Sequence, residues 1–247
     1  MSLGKLYGVG IGIGSSDLMT LRAVEAINSA DVIAIQRFDM NSVPEALRVV
    51  KPNLKPKGEQ EFLYLDLPHS MNSELLEFAW HKAGADLYKI LKKGKNIALL
   101  CEGDPLLFGI YDYLDEQLLA ADPTIEKYII PGVSCITAIP AVLNTVIAEG
   151  DERIAVLSAA YELDDLPEII DLFDTILLTE LTHSLAEIIA ILEKKNQLHN
   201  AVYVNRAAMV GQKIVTDLAT LDDQNDDYFS MIMIKTKNRE QVLRELS

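Results

Sequence analysis

Glycine occupies positions 8, 10, 12 and 14 in the stretch YGVGIGIGSSDL, residues 7–18. In a strand, successive side chains point to opposite faces, so these glycines leave one face without side chains. Tyr7, Val9, Ile11 and Ile13 line the other face and join the core. The chain then turns at Gly14-Ser15-Ser16 and is predicted to enter a helix over 17–29. Ser15 or Ser16 is placed to cap it, and Asp17 suits the positive helix end. Leu18, Leu21, Val24 and Ile27 recur at helical spacing and are expected to face the sheet. The dinucleotide fingerprint G-x-G-x-x-G fails in every frame, its third glycine falling on Ile13, Ser15 or Asp17. No Gly-Lys-Ser/Thr follows, so the stretch is not a P-loop. Two uses of a bare ribbon remain: close backbone packing, or a broad flat ligand laid against the chain.

The rest of the chain alternates short apolar runs with helical patterns. Strands are predicted at 5–10, 32–35, 96–101, 126–130, 153–157, 174–178, 201–204, 213–215 and 228–235. Helices are predicted at 17–29, 73–92, 106–121, 134–146 and 184–194. This rhythm gives an α/β fold with largely parallel sheets. The last three strands have little helix between them and predict an antiparallel portion there. With 247 residues, 49% of them hydrophobic, a sizeable core is available. The polar turn AEGDER suggests two domains, 1–149 and 150–247.

Two further segments repeat the strand–turn–helix device. In NIALLCEGDPLLFG, residues 96–109, Asp104 suits an N-cap and Pro105 the first helical position. Capping does not account for Glu102 beside Gly103. In KYIIPGVSCITA, residues 127–138, the strand ends in Pro131-Gly132 and Ser134 is placed to cap the next helix. Ligands of open α/β sheets collect beyond the carboxyl ends of the strands, and a helix start favours an anionic group. Two such turns with Glu102 and Asp104 nearby would suit a ligand bearing both a carboxylate and a positive centre.

Taken in order, the glycine ribbon with DLMTLRAVEAINSADVI, then CEGDPLLFG, then IIPGVSCITA, resemble the tetrapyrrole methylase family. Its members transfer a methyl group from S-adenosylmethionine to a porphyrinoid carbon. IAEGDERIAVLSA and AVYVNRAAM…KIVTDL…YFSMIMIK resemble the subfamily that methylates precorrin-2, or its cobalt complex, at meso carbon 20 in cobalamin synthesis. The resemblance implies two α/β domains, a mostly parallel N-terminal sheet and a mixed C-terminal one, ligands in the cleft between them, and a homodimer. It implies cofactor contacts at Glu102, Gly103, Asp104, Leu107, Ser134, Cys135, Thr179, Ala207 and Met209. It places Gly10, Gly12, Ile13, Gly14, Gln36 and Arg37 along the tetrapyrrole trough, where bare backbone lets a flat macrocycle come close. The chain departs from many relatives in reading Ile13-Gly14-Ser15-Ser16 where they have Pro-Gly-Asp-Pro. It also reads Ile35-Gln36-Arg37 where some carry an acid proposed as a base. Asp104 is expected mainly to hold the cofactor. Asp104, Glu102 and solvent are the candidates for taking the proton released on methylation.

Lys+Arg number 22 against Asp+Glu 37, a formal charge of −15, which disfavours a general grip on nucleic acid. A polycarboxylate substrate then needs a local basic rim, for which Arg37, Lys51, Lys55, Lys57 and Arg206 are candidates. His69, His81, His183 and His199 show no metal-ligand spacing with each other or with Cys101 and Cys135, so no metal is expected apart from cobalt arriving inside the substrate. The acidic run at 222–227 is expected to be a solvated turn. No signal-peptide pattern or apolar run of roughly 20 residues is evident, and a cytoplasmic protein without membrane contact is expected.

Overall fold

The computed structural model describes residues 2–55, 58, 60–68, 72–161, 163–221 and 227–237; Lys57, His69 and 222–226 of the acidic run lie outside the described residues. The chain divides into two compact units, Met1–Ser134 and Cys135–Ser247.

In the first unit, β1 (Leu6–Gly10), β2 (Val32–Arg37), β3 (Glu61–Asp66), β4 (Ile97–Cys101) and β5 (Lys127–Ile130) form one sheet in the order β3-β2-β4-β1-β5. Every pairing in it is parallel. All five strands therefore end at one edge, at Gly10, Arg37, Asp66, Cys101 and Ile130. The central strand IALLC is buried throughout, as expected of a strand covered on both faces. Helices α1 (Leu21–Ser29) and α2 (Glu45–Val50) set Ile27, Val49 and Val50 in a core with Val9, Ile33, Ile35 and Leu100. Helices α3 (Ser73–Leu91) and α4 (Tyr111–Ala121) set Leu87, Leu91, Leu114 and Leu118 in a second core with Leu6 and Leu99. Each such leucine contributes roughly 1.5–3 kcal/mol by leaving water.

Local structure departs from the sequence reading in four places in this unit. Helix α1 starts late: residues 16–18 form a short 3₁₀ turn, and Thr20, not Ser15 or Ser16, is the cap, accepting a hydrogen bond from Ala23 N at 3.1 Å. Ala23 and Ile27 face the core, while Leu21 is 90% exposed and does not face the sheet. Helix α4 begins at Tyr111 rather than 106, because residues 105–110 take an irregular path with Phe108 at φ +50°. Strand β3 and helix α2 were not expected. β3 is the edge of the sheet and keeps Phe62 and Tyr64 exposed, which blurs the apolar alternation that marks a strand.

The second unit contains α5 (Cys135–Val142), β6 (Ile154–Ser158), α6 (Leu166–Leu172), β7 (Thr175–Thr179), α7 (Leu185–Lys194), β8 (Ala201–Asn205), β9 (Lys213–Val215) and β10 (Ser230–Lys235). Its sheet runs β6-β7-β10-β8-β9. β6 and β7 are parallel; β10 is antiparallel to β7 and β8, and β8 to β9, the mixed arrangement expected of the last third. Ile188 and Leu192 of α7 pack with Ile176, Leu178, Tyr203, Ile232 and Ile234 of the sheet. The division between units falls at 134/135, whereas composition pointed to 149/150. The polar turn exists, with Glu152 N donating to Glu149 O at 3.0 Å, but the chain before it already belongs to the second unit. Ile147 O accepts from Thr175 Oγ1 at 2.6 Å and from Lys235 Nζ at 3.3 Å.

Candidate functional site

The turns after β1, β4 and β5 meet at the carboxyl edge of the first sheet. Ile11 N donates to Cys101 O at 3.0 Å. Gly103 N donates to Gly12 O at 2.8 Å, and Gly12 N to Gly103 O at 3.3 Å. Asp104 joins the other two turns: Oδ2 accepts from Gly132 N at 3.1 Å and Oδ1 from Leu106 N at 2.9 Å. Both carboxylate oxygens are thus committed to backbone N–H groups, one local and one from a different strand end. The expected N-cap role for Asp104 gives way to this clamp. The N–H groups expected to wait for an anion are used internally: Leu106 N by the Asp104 side chain, Leu107 N by Asp104 O at 3.2 Å.

The glycines explain the tight meeting. A Cβ on Gly10 would lie 2.4 Å from Gly132 N, and one on Gly132 would lie 2.0 Å from Gly103 O. A Cβ on Gly8 would lie 2.5 Å from the Tyr111 ring. The side-chain-free face at Gly8 and Gly10 is therefore packed against protein, the first of the two uses of a bare ribbon. Beyond the strand the need is conformational: Gly12 has φ +78° and Gly14 φ +136°, in the region that side chains disfavour. Gly103 has φ +65°, and a Cβ there would meet open space within 4 Å.

Glu102 stands at this edge with Gly103. Its side chain is half-buried and has no hydrogen-bond donor or cation as partner among the described residues. Burial pushes its carboxyl up to about 7, with the Glu45 carboxylate of α2 adding to the shift. Burial also pushes the Cys101 thiol up to about 12, so this cysteine is a core residue rather than a nucleophile.

At the end of β2, Arg37 is already engaged. Its Nε donates to Asp66 Oδ1 at 2.8 Å, and its guanidinium lies 5.0 Å from the centre of the Tyr64 ring. Gln36 precedes it on the same strand. Lys51 and Lys55 are exposed.

Within the second unit, β6, β7 and β8 end at a common edge. Thr179 closes β7 and is buried. Glu180 follows at φ +57°, accepting from Ser158 Oγ at 2.5 Å and Tyr228 OH at 3.3 Å. After β8, Arg206 at φ +51° and Ala208 at φ +57° fold 206–209 into a turn closed by Met209 N donating to Arg206 O at 2.9 Å. Arg206 Nε pairs with Asp227 Oδ2 at 2.9 Å. Ala207 is buried beside it. Asn205 Nδ2 and Thr182 Oγ1 are buried without a partner among the described residues. Cys135 opens α5 directly after Ser134, its thiol raised by burial. Glu180, Thr182 and Asn205 escaped the sequence reading; their distinguishing marks, a positive φ at Glu180 and stranded polar atoms at Thr182 and Asn205, have no sequence signature. Among the described residues there is no group of three or more His, Cys, Asp or Glu that could hold a metal ion, and no helix is long and apolar enough to cross a membrane.

Comparison with known proteins fits this arrangement. A probable cobalt-precorrin-2 C(20)-methyltransferase of Methanocaldococcus jannaschii is 31% identical over 239 residues, 95% of this chain and 97% of that protein. The cobalt-precorrin-2 C(20)-methyltransferase of Salmonella typhimurium is 28% identical over 233 residues, 94% of this chain and 96% of that protein. A uroporphyrin-III C-methyl transferase from Thermus thermophilus, solved with S-adenyl homocysteine, shares the fold with a TM-score of 0.68 at 18% identity, covering 98% of this chain and 99% of that one. The model of the tetrapyrrole (corrin/porphyrin) methylases matches residues 5–222, and the chain belongs to that family.

Proposed function

We propose that the protein transfers a methyl group from S-adenosylmethionine to meso carbon 20 of precorrin-2 or its cobalt complex, a step of cobalamin synthesis. The observation that carries the reading is the joining of three strand ends through Gly12, Gly103, Asp104 and Gly132. Family membership and the C(20)-methyltransferase names of the two relatives supply the reaction.

The residues present fit such a donor. The Cα of Gly103 faces open space, so an organic ligand can lie against the backbone where any side chain would intrude. Gly103, Asp104, Leu107, Ser134 and Cys135 would hold it, with Thr179, Ala207 and Met209 as further contacts. When bound, the donor supplies a methyl group already activated by a positive sulfur. The chain's task is then placement, and correct orientation is worth about 7–11 kcal/mol of barrier in favourable cases. Asp104 serves that task indirectly: by fixing Gly132 against Gly103 it holds two turns in one register. Arg37 is proposed to meet a substrate carboxylate through the guanidinium edge that Asp66 leaves open, with Gln36 beside it. Gly12, Ile13 and Gly14 are proposed to border the ring. The same reading takes the protein as a cytoplasmic homodimer, and sedimentation as a monomer at working concentration would remove the dimer.

The test is incubation of purified protein with methyl-labelled S-adenosylmethionine and precorrin-2, with and without cobalt. The reading expects label at carbon 20 of the macrocycle. Binding of S-adenosylhomocysteine with no label transferred would mark a silent binding protein, and label entering only uroporphyrinogen III would mark a different methylase.

A further inference from the structure

We propose that Glu102 is the group that removes the proton from the ring carbon after methyl transfer. The inference rests on the methyltransferase reading above and assigns a role that the fold of the first unit favours. Three observations separate Glu102 from the other acids at this edge. Asp104 has both oxygens engaged by backbone N–H groups and is committed to the turn. Asp66 is held by Arg37. Glu102 has neither donor nor cation as partner among the described residues, yet it sits on the turn that Gly12 and Gly103 pin at 2.8 Å. A carboxylate left unpaired beside a rigid, glycine-opened backbone is available to a ligand.

The surroundings suit proton exchange near neutral pH. The charged or titratable groups around Glu102 are Glu45 from α2 and, on its own segment, Cys101 and Asp104. Arg48, the nearest cation along α2, is turned to Glu45 at 3.5 Å. Burial and the Glu45 charge bring the carboxyl to about 7, where a base matches both its working pH and a useful proton affinity.

The step balances. The bond from sulfur to methyl breaks with its electron pair left on sulfur, which becomes neutral. The new carbon–methyl bond is formed by ring electrons, so the ring gains one positive charge. The C–H bond at the methylated carbon then breaks, its electron pair returns to the ring, and the proton moves to a Glu102 carboxylate oxygen and on to water. No oxidant or reductant is required.

The test compares wild type with Glu102→Gln and Glu102→Asp in methyl transfer between pH 5.5 and 8.5, alongside S-adenosylhomocysteine affinity by calorimetry. General-base catalysis contributes about 10²–10⁴-fold. Wild-type rate should rise through about pH 7 and level off. Glu102→Gln should lose roughly 100-fold or more and show no such limb, Glu102→Asp should keep the limb at reduced rate, and both should bind the thioether within about twofold of wild type. A Glu102→Gln rate and pH profile equal to wild type would overturn the proposal in favour of solvent. Equal losses of rate and thioether affinity with the limb retained would also overturn it, by making Glu102 a cofactor contact. Wild-type protein that labels no tetrapyrrole removes the functional reading, and the base with it; wild-type transfer with an unaffected Glu102→Gln removes the base alone.

Discussion

Replacing Gly132 by alanine tests the meeting of the three turns directly. The added Cβ would lie 2.0 Å from Gly103 O, where ordinary contact starts at 3.4 Å, so the carbonyl must retreat by about 1.4 Å. The obstacle is backbone on both sides, since Gly10 C and Cα would each lie 2.9 Å away, and no flexible side chain can absorb it. The retreat also pulls Gly132 N from Asp104 Oδ2, now 3.1 Å. Overpacking costs about 1–3 kcal/mol and a hydrogen bond to a charged group about 1.5–3 kcal/mol, so a loss of roughly 3–6 kcal/mol is expected. A displacement of roughly 1 Å at a reacting geometry can cost about 100-fold in rate. The control is Gly150→Ala, at φ +57° with open space around the Cβ, where backbone strain of about 1 kcal/mol is the whole effect. Thermal unfolding and S-adenosylhomocysteine calorimetry read both variants. If Gly132→Ala melts with Gly150→Ala and binds within twofold of wild type, the three turns do not depend on one another and the argument from their convergence fails.

Asp104→Ala should act like Gly132→Ala, because it frees two backbone N–H groups together; Asp104→Asn, which keeps an acceptor, should recover part of the stability in urea titrations, and equal losses would refute the clamp. Glu102 links stability to pH: its carboxyl is raised from 4.5 to about 7 in the fold, so the neutral form is favoured and stability falls as pH rises through that window. Glu102→Gln, which does not titrate, should match wild type near pH 4.5 and exceed it by at most about 3 kcal/mol above neutrality, and a pH-independent difference would refute the burial. Arg37→Ala should raise the tetrapyrrole KM more than it changes cofactor affinity, while costing no more than about 1 kcal/mol because the Asp66 pair is partly exposed; equal effects on both ligands would count against the role. Glu152→Ala should cost about 3 kcal/mol, since it strips the partner at 3.1 Å from a Lys235 side chain only 2% exposed; a loss within error would show that Ile147 O suffices.

The strands and their order of appearance were legible because their apolar runs are short and bounded by turn residues, and the buried IALLC and the paired Thr175–Thr179 are clear examples. What was lost was lost to context. Strand β3 has one face against water, yet Phe62 and Tyr64 fall on the exposed side, so the run FLYL carries no apolar-polar alternation to mark a strand. Helix α2 is six residues long, too short for periodicity to register. The predicted start of α1 failed because Ser15, Ser16 and Thr20 are all competent caps, and position along the sheet edge decides among them.

The site shows the same division at finer scale. Asp104-Pro105 carries the signature of a helix start, and nothing within ten residues distinguishes a cap from a clamp. The deciding partner is Gly132, 28 residues on, which the parallel pairing of β1 with both β4 and β5 brings alongside. The alternating glycines likewise had two readings with one local pattern. What each one packs against differs along the ribbon: an aromatic ring opposite Gly8, backbone opposite Gly10, and a positive φ at Gly12. Glu102 is the sharpest case. As a residue it is an ordinary acid in a turn, and its basicity depends on burial and on Glu45, which lies on the very helix that the sequence failed to announce. Chemistry that resides in the environment of a group rather than in its identity becomes readable only after the elements around it are in place. The sequence could therefore nominate Asp104 and Glu102 together, and only the hydrogen bonds on one and their absence from the other among the described residues assign them different work.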